Sequence, residues 1–181
     1  GWSAWRKVGE RAAPDRWGWQ VRDGRLVAPG WDLGLLRSER EFSDVRLEFE
    51  VRLPENSSLF IGFRSGSINN PREQLLVVPL FDQARLRQAD DKTLNVPYLR
   101  EFLGVASRLP AEEWKSISIR CEGGDLALSI NGQDAAAIRI GDFEGLREVP
   151  ARGPVFFLAD EHSQNVAIRG IRAWDLGDEQ P

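Results

Sequence analysis

Between residues 45 and 53, apolar and charged positions alternate without a break: Val45, Leu47, Phe49, Val51 and Leu53 against Arg46, Glu48, Glu50 and Arg52. A period of two over this length specifies a strand with one buried and one wetted face. Pro-Glu-Asn-Ser-Ser then stops the run with turn-forming residues. Residues 59–64 return as a second strand with Gly62 inside it, so residues 41–64 form a hairpin.

The same signal recurs along the chain. Trp17 to Val21 and Leu26 to Ala28 are short strands around Asp23-Gly24, a dipeptide that accepts the positive φ of a tight hairpin turn. Leu33 to Arg37 is a further short strand. Residues 74–81 form a continuous apolar run interrupted by Pro79, which assigns this strand to an edge or a bulge. Residues 82–109 are the least regular stretch, with one helical turn expected over 83–88; a loop of this length is a candidate for function. Residues 114–121 and 126–130 alternate again, and Asn131-Gly132 marks a hairpin to a strand over 135–140. Residues 142–150 read as a loop or a single helical turn. Residues 155–159 form a buried strand and 166–174 the last one, with a phase shift at Gly170 that predicts a bulge. Ten or more short strands, frequent turns and no helix of three turns predict an all-β sandwich of two antiparallel sheets.

The 181 residues fit one domain over 1–181 with a full core. No apolar run approaches the roughly 20 residues of a membrane helix. There is no methionine and no signal-peptide pattern, so a processed or excised piece is expected. The net charge of −4 gives no support to phosphate-backbone binding, which argues against a nucleic-acid partner. The arginines on strand exteriors face glutamates, the pattern of cross-strand ion pairs. Cys121 is the single cysteine, which excludes an intramolecular disulfide, and its place on an apolar strand face predicts a buried, inert thiol.

Seven stretches in order resemble the 3-keto-disaccharide hydrolase-type family: 19–26, 36–44, 47–53, 56–61, 113–117, 128–132 and 153–172. The resemblance spans nearly the whole chain. It implies a concanavalin-like jelly roll and carbohydrate chemistry outside the cytoplasm, periplasmic or secreted. The implied reaction cleaves glycosides whose sugar is oxidised at C3. The ketone acidifies the neighbouring C–H, a base removes that proton, and the glycosidic oxygen leaves by elimination. Such a site needs a base, an acid and a group that holds the enolate. Many members carry Tyr-Glu-Val-Gln-Ile-Leu-Asp on one strand; here it is Leu76-Val-Val-Pro-Leu-Phe-Asp82, with Val77 at the acid position and Pro79 at the amide. The family's Asp-His-Gly corresponds to Asp160-Glu161-His162.

His162, the one histidine, suits a general base near neutral pH. Asp82 and Asp160 are the candidate carboxylates beside it. Arg64 is a candidate for pairing with a ligand oxygen, Trp31 and Tyr98 for stacking on a sugar ring, and Glu161 for a polar ligand contact. Each has an ordinary structural alternative as a loop, packing or ion-pair residue. Asp82, Asp90 and Asp91 flank the irregular segment in an oxygen-rich setting suited to a hard cation such as calcium, although no EF-hand spacing is present. One Cys and one His argue against a structural zinc site. Trp17, Trp19, Trp114 and Trp174 adjoin strand patterns and are expected in the core. Two functions follow. The first, towards which the sequence leans, is a 3-keto-glycoside hydrolase or lyase, favoured by His162 and by the long loop from Asp82 to Leu109. The second is a non-catalytic module of a larger protein that binds a glycan or a protein partner, for which the missing acid at Val77 speaks. A structural domain of a larger assembly is a third.

Overall fold

In a computed structural model of the chain, residues 1–7, 10–11, 19–28, 34–64, 76–82, 97–159, 163 and 165–177 are described, with backbone alone for 3–7, 10–11, 34, 97–99, 103, 106 and 107. The strands are β1 Trp2–Lys7, β2 Glu10–Arg11, β3 Gln20–Arg22, β4 Arg25–Val27, β5 Gly34–Phe42, β6 Val45–Arg52 and β7 Ser58–Phe63. They continue with β8 Leu76–Phe81, β9 Trp114–Glu122, β10 Asp125–Ile130, β11 Gln133–Arg139, β12 Gly153–Ala159 and β13 Ala167–Asp175. They form two antiparallel sheets: a six-stranded one in the order β2-β1-β5-β12-β7-β8, and a seven-stranded one in the order β11-β10-β9-β6-β13-β4-β3. This is the sandwich of two antiparallel sheets that the alternation predicts, and the jelly roll that the family resemblance implies.

The alternating residues of β6 lie where the pattern put them. Val45, Leu47, Phe49 and Val51 are buried in the core, opposite Leu59, Ile61 and Phe63 of β7 and Val155 and Phe157 of β12. Phe49 and Phe157 meet edge to face at 5.0 Å, which ties the two sheets together. The turns obey their residues. Asp23 and Gly24 have φ of 50° and 71°, and Asn131 and Gly132 have 51° and 75°. Gly170 has φ 63°, and the register of β13 against β6 shifts between Arg169 and Arg172, as the expected bulge requires. Pro79 lies on β8, the edge strand of its sheet, where a missing N–H costs no ladder bond.

Four features differ from the sequence expectation. Residues 41–64 are not a hairpin: β6 lies between β9 and β13 in the seven-stranded sheet and β7 between β12 and β8 in the six-stranded one, so the turn at 54–57 carries the chain from one sheet to the other and the two strands face each other across the core. Residues 2–7 form a strand pairing with β5. Within the stretch expected to be irregular, Pro97–Arg108 is a run of 3-10 turns whose Phe102 and Val105, with Leu109 beyond it, join the core. The helical turn expected over 83–88 lies outside the described residues, as does Trp17. Trp19 is buried as expected, but Trp174 is 40% exposed and Trp114 half-buried. Their register explains this: Trp174 pairs with Arg46 and Trp114 with Arg52, so both fall on the wetted face. That face carries the expected cross-strand ion pairs, including Arg169 to Glu50 at 2.7 Å.

Candidate functional site

The outward face of the six-stranded sheet follows from its register, because directly paired residues share a face. One row runs Arg37, Phe156, Gly62, Val77 across β5, β12, β7 and β8. The next runs Leu35, Leu158, Phe60, Pro79, and Ser58 pairs with Phe81 beyond it. Phe81 and Phe156 are buried, yet neither belongs to the central core cluster, as expected for side chains on the far side of the sheet. Phe60 and Phe81 meet edge to face at 5.6 Å. Leu35, Phe60, Val77 and Leu158 are half-buried. The run Gly153–Ala159 is apolar on both faces: Val155, Phe157 and Ala159 point to the core, while on the outward side Phe156 is buried and Leu158 half-buried.

Gly62 is what allows this packing. A Cβ placed there would stand 1.8 Å from Phe156 Cζ, far inside contact distance. The Phe156 ring therefore lies across the bare backbone of β7, next to Val77. The position that the family resemblance assigns to the acid thus carries a valine beside an aromatic ring. Arg37 is the one charged residue in these two rows. Its Nε is buried with no hydrogen-bond partner, and its Nη2 is 3.8 Å from Glu41 Oε1. A buried donor without an acceptor is costly, and a ligand oxygen would satisfy it. Arg37, Phe60 and Phe156 were not singled out from the sequence; the continuous apolar run at 153–159 was the signal that the outward face matters.

The sequence-selected residues divide. Asp82 follows β8 and is buried; its Oδ2 accepts the backbone N–H of Asn56 at 2.9 Å, and its own N–H donates to Ser57 O at 3.3 Å. It holds the turn before β7, where Asn56 has φ 60°. Ser163 is pinned at the same end of the sheet, its Oγ accepting the N–H of Ser58 at 2.9 Å. Arg64 is at the other end of β7, about 20 Å from Ser58 by strand rise. It is not poised for a ligand. Its Nε donates to Ser43 O at 2.7 Å, Nη1 to Gly123 O at 2.8 Å and Nη2 to Asp44 Oδ1 at 2.7 Å. Arg64 therefore clamps the β5–β6 and β9–β10 turns and is not brought together with Asp82. Tyr98 lies in the 3-10 run, described by backbone alone. Trp31, Asp160, Glu161 and His162 lie outside the described residues, as do Asp90 and Asp91. Among the described residues no three His, Cys, Asp or Glu side chains gather as a metal site.

The sequence of residues 1–173 matches the family model of the 3-keto-alpha-glucoside-1,2-lyase-like domain. No curated protein matches the chain. Among solved structures, a candidate glycosyl hydrolase from Parabacteroides distasonis ATCC 8503 is similar, with TM-score 0.72 and 15% identity, covering 96% of this chain and 89% of that one. The carbohydrate-binding module CBM66 from Bacillus subtilis has TM-score 0.57 and 8% identity, covering 96% and 94%. A Bacillus subtilis protein with a galectin-like fold has TM-score 0.52 and 11% identity, covering 82% and 80%. At these identities the likeness is one of fold.

Proposed function

The chain belongs to the 3-keto-alpha-glucoside-1,2-lyase-like family, and on that premise we propose that it binds a glycoside of this class on the outward face of the six-stranded sheet without cleaving it through the strand β8 acid. One observation carries the reading: Val77 stands at the acid position and the Phe156 ring lies over Gly62 beside it, so hydrocarbon fills the row where a proton donor would act. What remains suits recognition. The apolar C–H face of a sugar packs on Phe60, and the unpartnered Nε of Arg37 donates to a hydroxyl or keto oxygen. A location outside the cytoplasm, within a larger protein, belongs to the same reading.

A second reading, cleavage by elimination, is favoured by one specific observation. Asp82 and Ser163 are both held at the start of β7, and Ser163 directly follows Asp160-Glu161-His162 in sequence. In that reading His162 removes the C–H proton, Asp82 or Asp160 protonates the leaving oxygen and Arg37 holds the enolate, with Glu161, Trp31 and Tyr98 as ligand contacts.

The test is 3-keto-trehalose or 3-keto-sucrose, followed by calorimetry for binding and by free-sugar release, each with and without a chelator. The expected result is binding without release, weakened about tenfold by Arg37→Gln through loss of one charge-assisted hydrogen bond. Release of free sugar, abolished by His162→Ala, would establish the second reading in place of the first. Loss of either signal with chelator would add a cation such as calcium. Neither binding nor release would end both readings.

A further inference from the structure

A cleft of about 300 Å³ lies on the other sheet, outside everything described above. Its floor is Val27 and Ala167, which pair with each other, and Ala167 pairs in turn with Arg52. The adjacent residues Leu26, Ile168 and Val51 face the core, so the cleft opens on the outward face of the seven-stranded sheet. Arg22, Arg25, Arg52, Asp23, Glu112 and Asn165 form its polar walls.

The charges of these walls do not cancel. Arg25 Nη2 is 3.5 Å from Asp23 Oδ2, and Arg52 Nε is 3.7 Å from Glu112 Oε2, so each acid is loosely matched with one arginine. Arg22 donates to the neutral Gln20 Oε1 at 3.1 and 2.6 Å, which leaves its charge uncompensated in the cleft. The Nε of Arg52 is buried and makes no hydrogen bond. A guanidinium N–H removed from water without an acceptor is a standing cost that a ligand anion would relieve. Two of the loops that shape the cleft hold Glu112 and Asn165 at φ 65° and 62°, so the wall positions are fixed by backbone geometry.

We propose that this cleft binds a monosaccharide-sized carboxylate of the uronic-acid type. The volume is at the lower end of small-ligand sites, enough for one sugar ring. The carboxylate pairs with Arg52 and Arg22 and satisfies the orphan Nε. The ring lays its C–H face on Val27 and Ala167, and its hydroxyls meet the Asn165 amide and the Glu112 carboxylate. The site is independent of the six-stranded face, and the two can succeed or fail separately.

The experiment is an NMR titration of the isotope-labelled chain with glucuronate, with glucose and inorganic phosphate as parallel arms. Glucuronate should shift the Asn165 amide and the Arg52 Nε–H signals in the millimolar range, and glucose should not. Arg52→Gln should weaken binding about tenfold or more, the effect of removing one charge-assisted contact. Arg120→Gln, on a neighbouring strand of the same sheet, should leave it unchanged. Glu112→Gln should tighten binding, because it frees Arg52 from its counter-charge; a cation site would respond in the opposite sense. Equal shifts with glucose, stronger binding of phosphate than of glucuronate, shifts confined to other residues, an unaffected Arg52→Gln variant or no shifts at all would each overturn the proposal.

Discussion

Replacing Gly62 with alanine tests the packing on which the functional reading rests. The new Cβ would meet Phe156 Cζ, Cε1 and Cε2 at 1.8, 2.0 and 2.5 Å. A relaxed carbon–carbon contact is about 3.7 Å, so the ring must retreat by about 2 Å or leave its place. Gly62 is not among the residues with positive φ, so its conformation alone would favour alanine by about 0.5–1 kcal/mol. Displacing a buried phenylalanine costs about 3 kcal/mol of transfer free energy. The difference predicts a net destabilisation of about 2 kcal/mol, or a melting temperature lower by about 4–8 °C for a chain of this size. The measurement is chemical and thermal denaturation followed by circular dichroism, for Gly62→Ala, Phe156→Ala and the double variant. Removing the ring removes the clash, so in the Phe156→Ala background Gly62→Ala should stabilise by about 0.5–1 kcal/mol, a coupling of about 3 kcal/mol. Additive effects, or a single Gly62→Ala variant as stable as the parent, would show that the ring does not lie across β7.

Three further outcomes follow from named contacts. Arg64→Ala should destabilise by about 3 kcal/mol, since it removes a largely buried ion pair and two backbone hydrogen bonds, and Arg64→Lys should rescue little because one ammonium cannot span three acceptors; denaturant midpoints decide, and a neutral Arg64→Ala would refute the clamp. Burial pushes the Cys121 thiol up to about 11 from 9.0. The native thiol should therefore resist thiol reagents at pH 8 until denaturant is added, and the stability it contributes, intact below pH 9, should be lost between pH 9 and about 11; rapid native labelling would refute its burial. The hydrogen bond from Arg169 lowers the Glu50 carboxyl, so this pair stabilises above the ordinary carboxylate range and is lost as pH falls through the depressed value. Glu50→Gln should shift the acid-unfolding midpoint upwards slightly and in a salt-dependent way, and an unchanged midpoint would mean that this exposed pair contributes nothing.

Local chemistry was legible in the sequence where it is decided locally. The period of two in β6, the Asp-Gly and Asn-Gly turns and the bulge at Gly170 depend on residues a few positions apart. The strand β1 was not legible, because Trp2 to Lys7 shows no alternation and pairs with β5, thirty or more residues away. The 3-10 run at Pro97–Arg108 left a faint trace in the spacing of Phe102, Val105 and Leu109, masked by Pro97 and Gly104. Arg64 looked like a ligand group because an arginine after a strand is ordinarily solvated; the three acceptors that bury it come from Ser43, Asp44 and Gly123, which no local pattern joins.

The same distinction explains why the site was harder to read than the fold. Val77 announces a missing acid, but the loss alone leaves open a compensating acid from a neighbouring strand. Among the described residues, β7, the strand that pairs with β8, supplies no such acid. Gly62 offers no side chain, Phe156 covers it, and the next row supplies Leu158, Phe60 and Pro79. The nearest charge in the row is Arg37, a cation, on the far side of the Phe156 strand. Among the described residues, the acid at the end of the sheet is Asp82, which is committed to the Asn56 turn. The proposed cleavage calls on the tripeptide Asp160-Glu161-His162, whereas the proposed binding calls on the aromatic face and Arg37. A His162→Ala variant that still binds the 3-keto sugar would separate these two requirements in a single measurement.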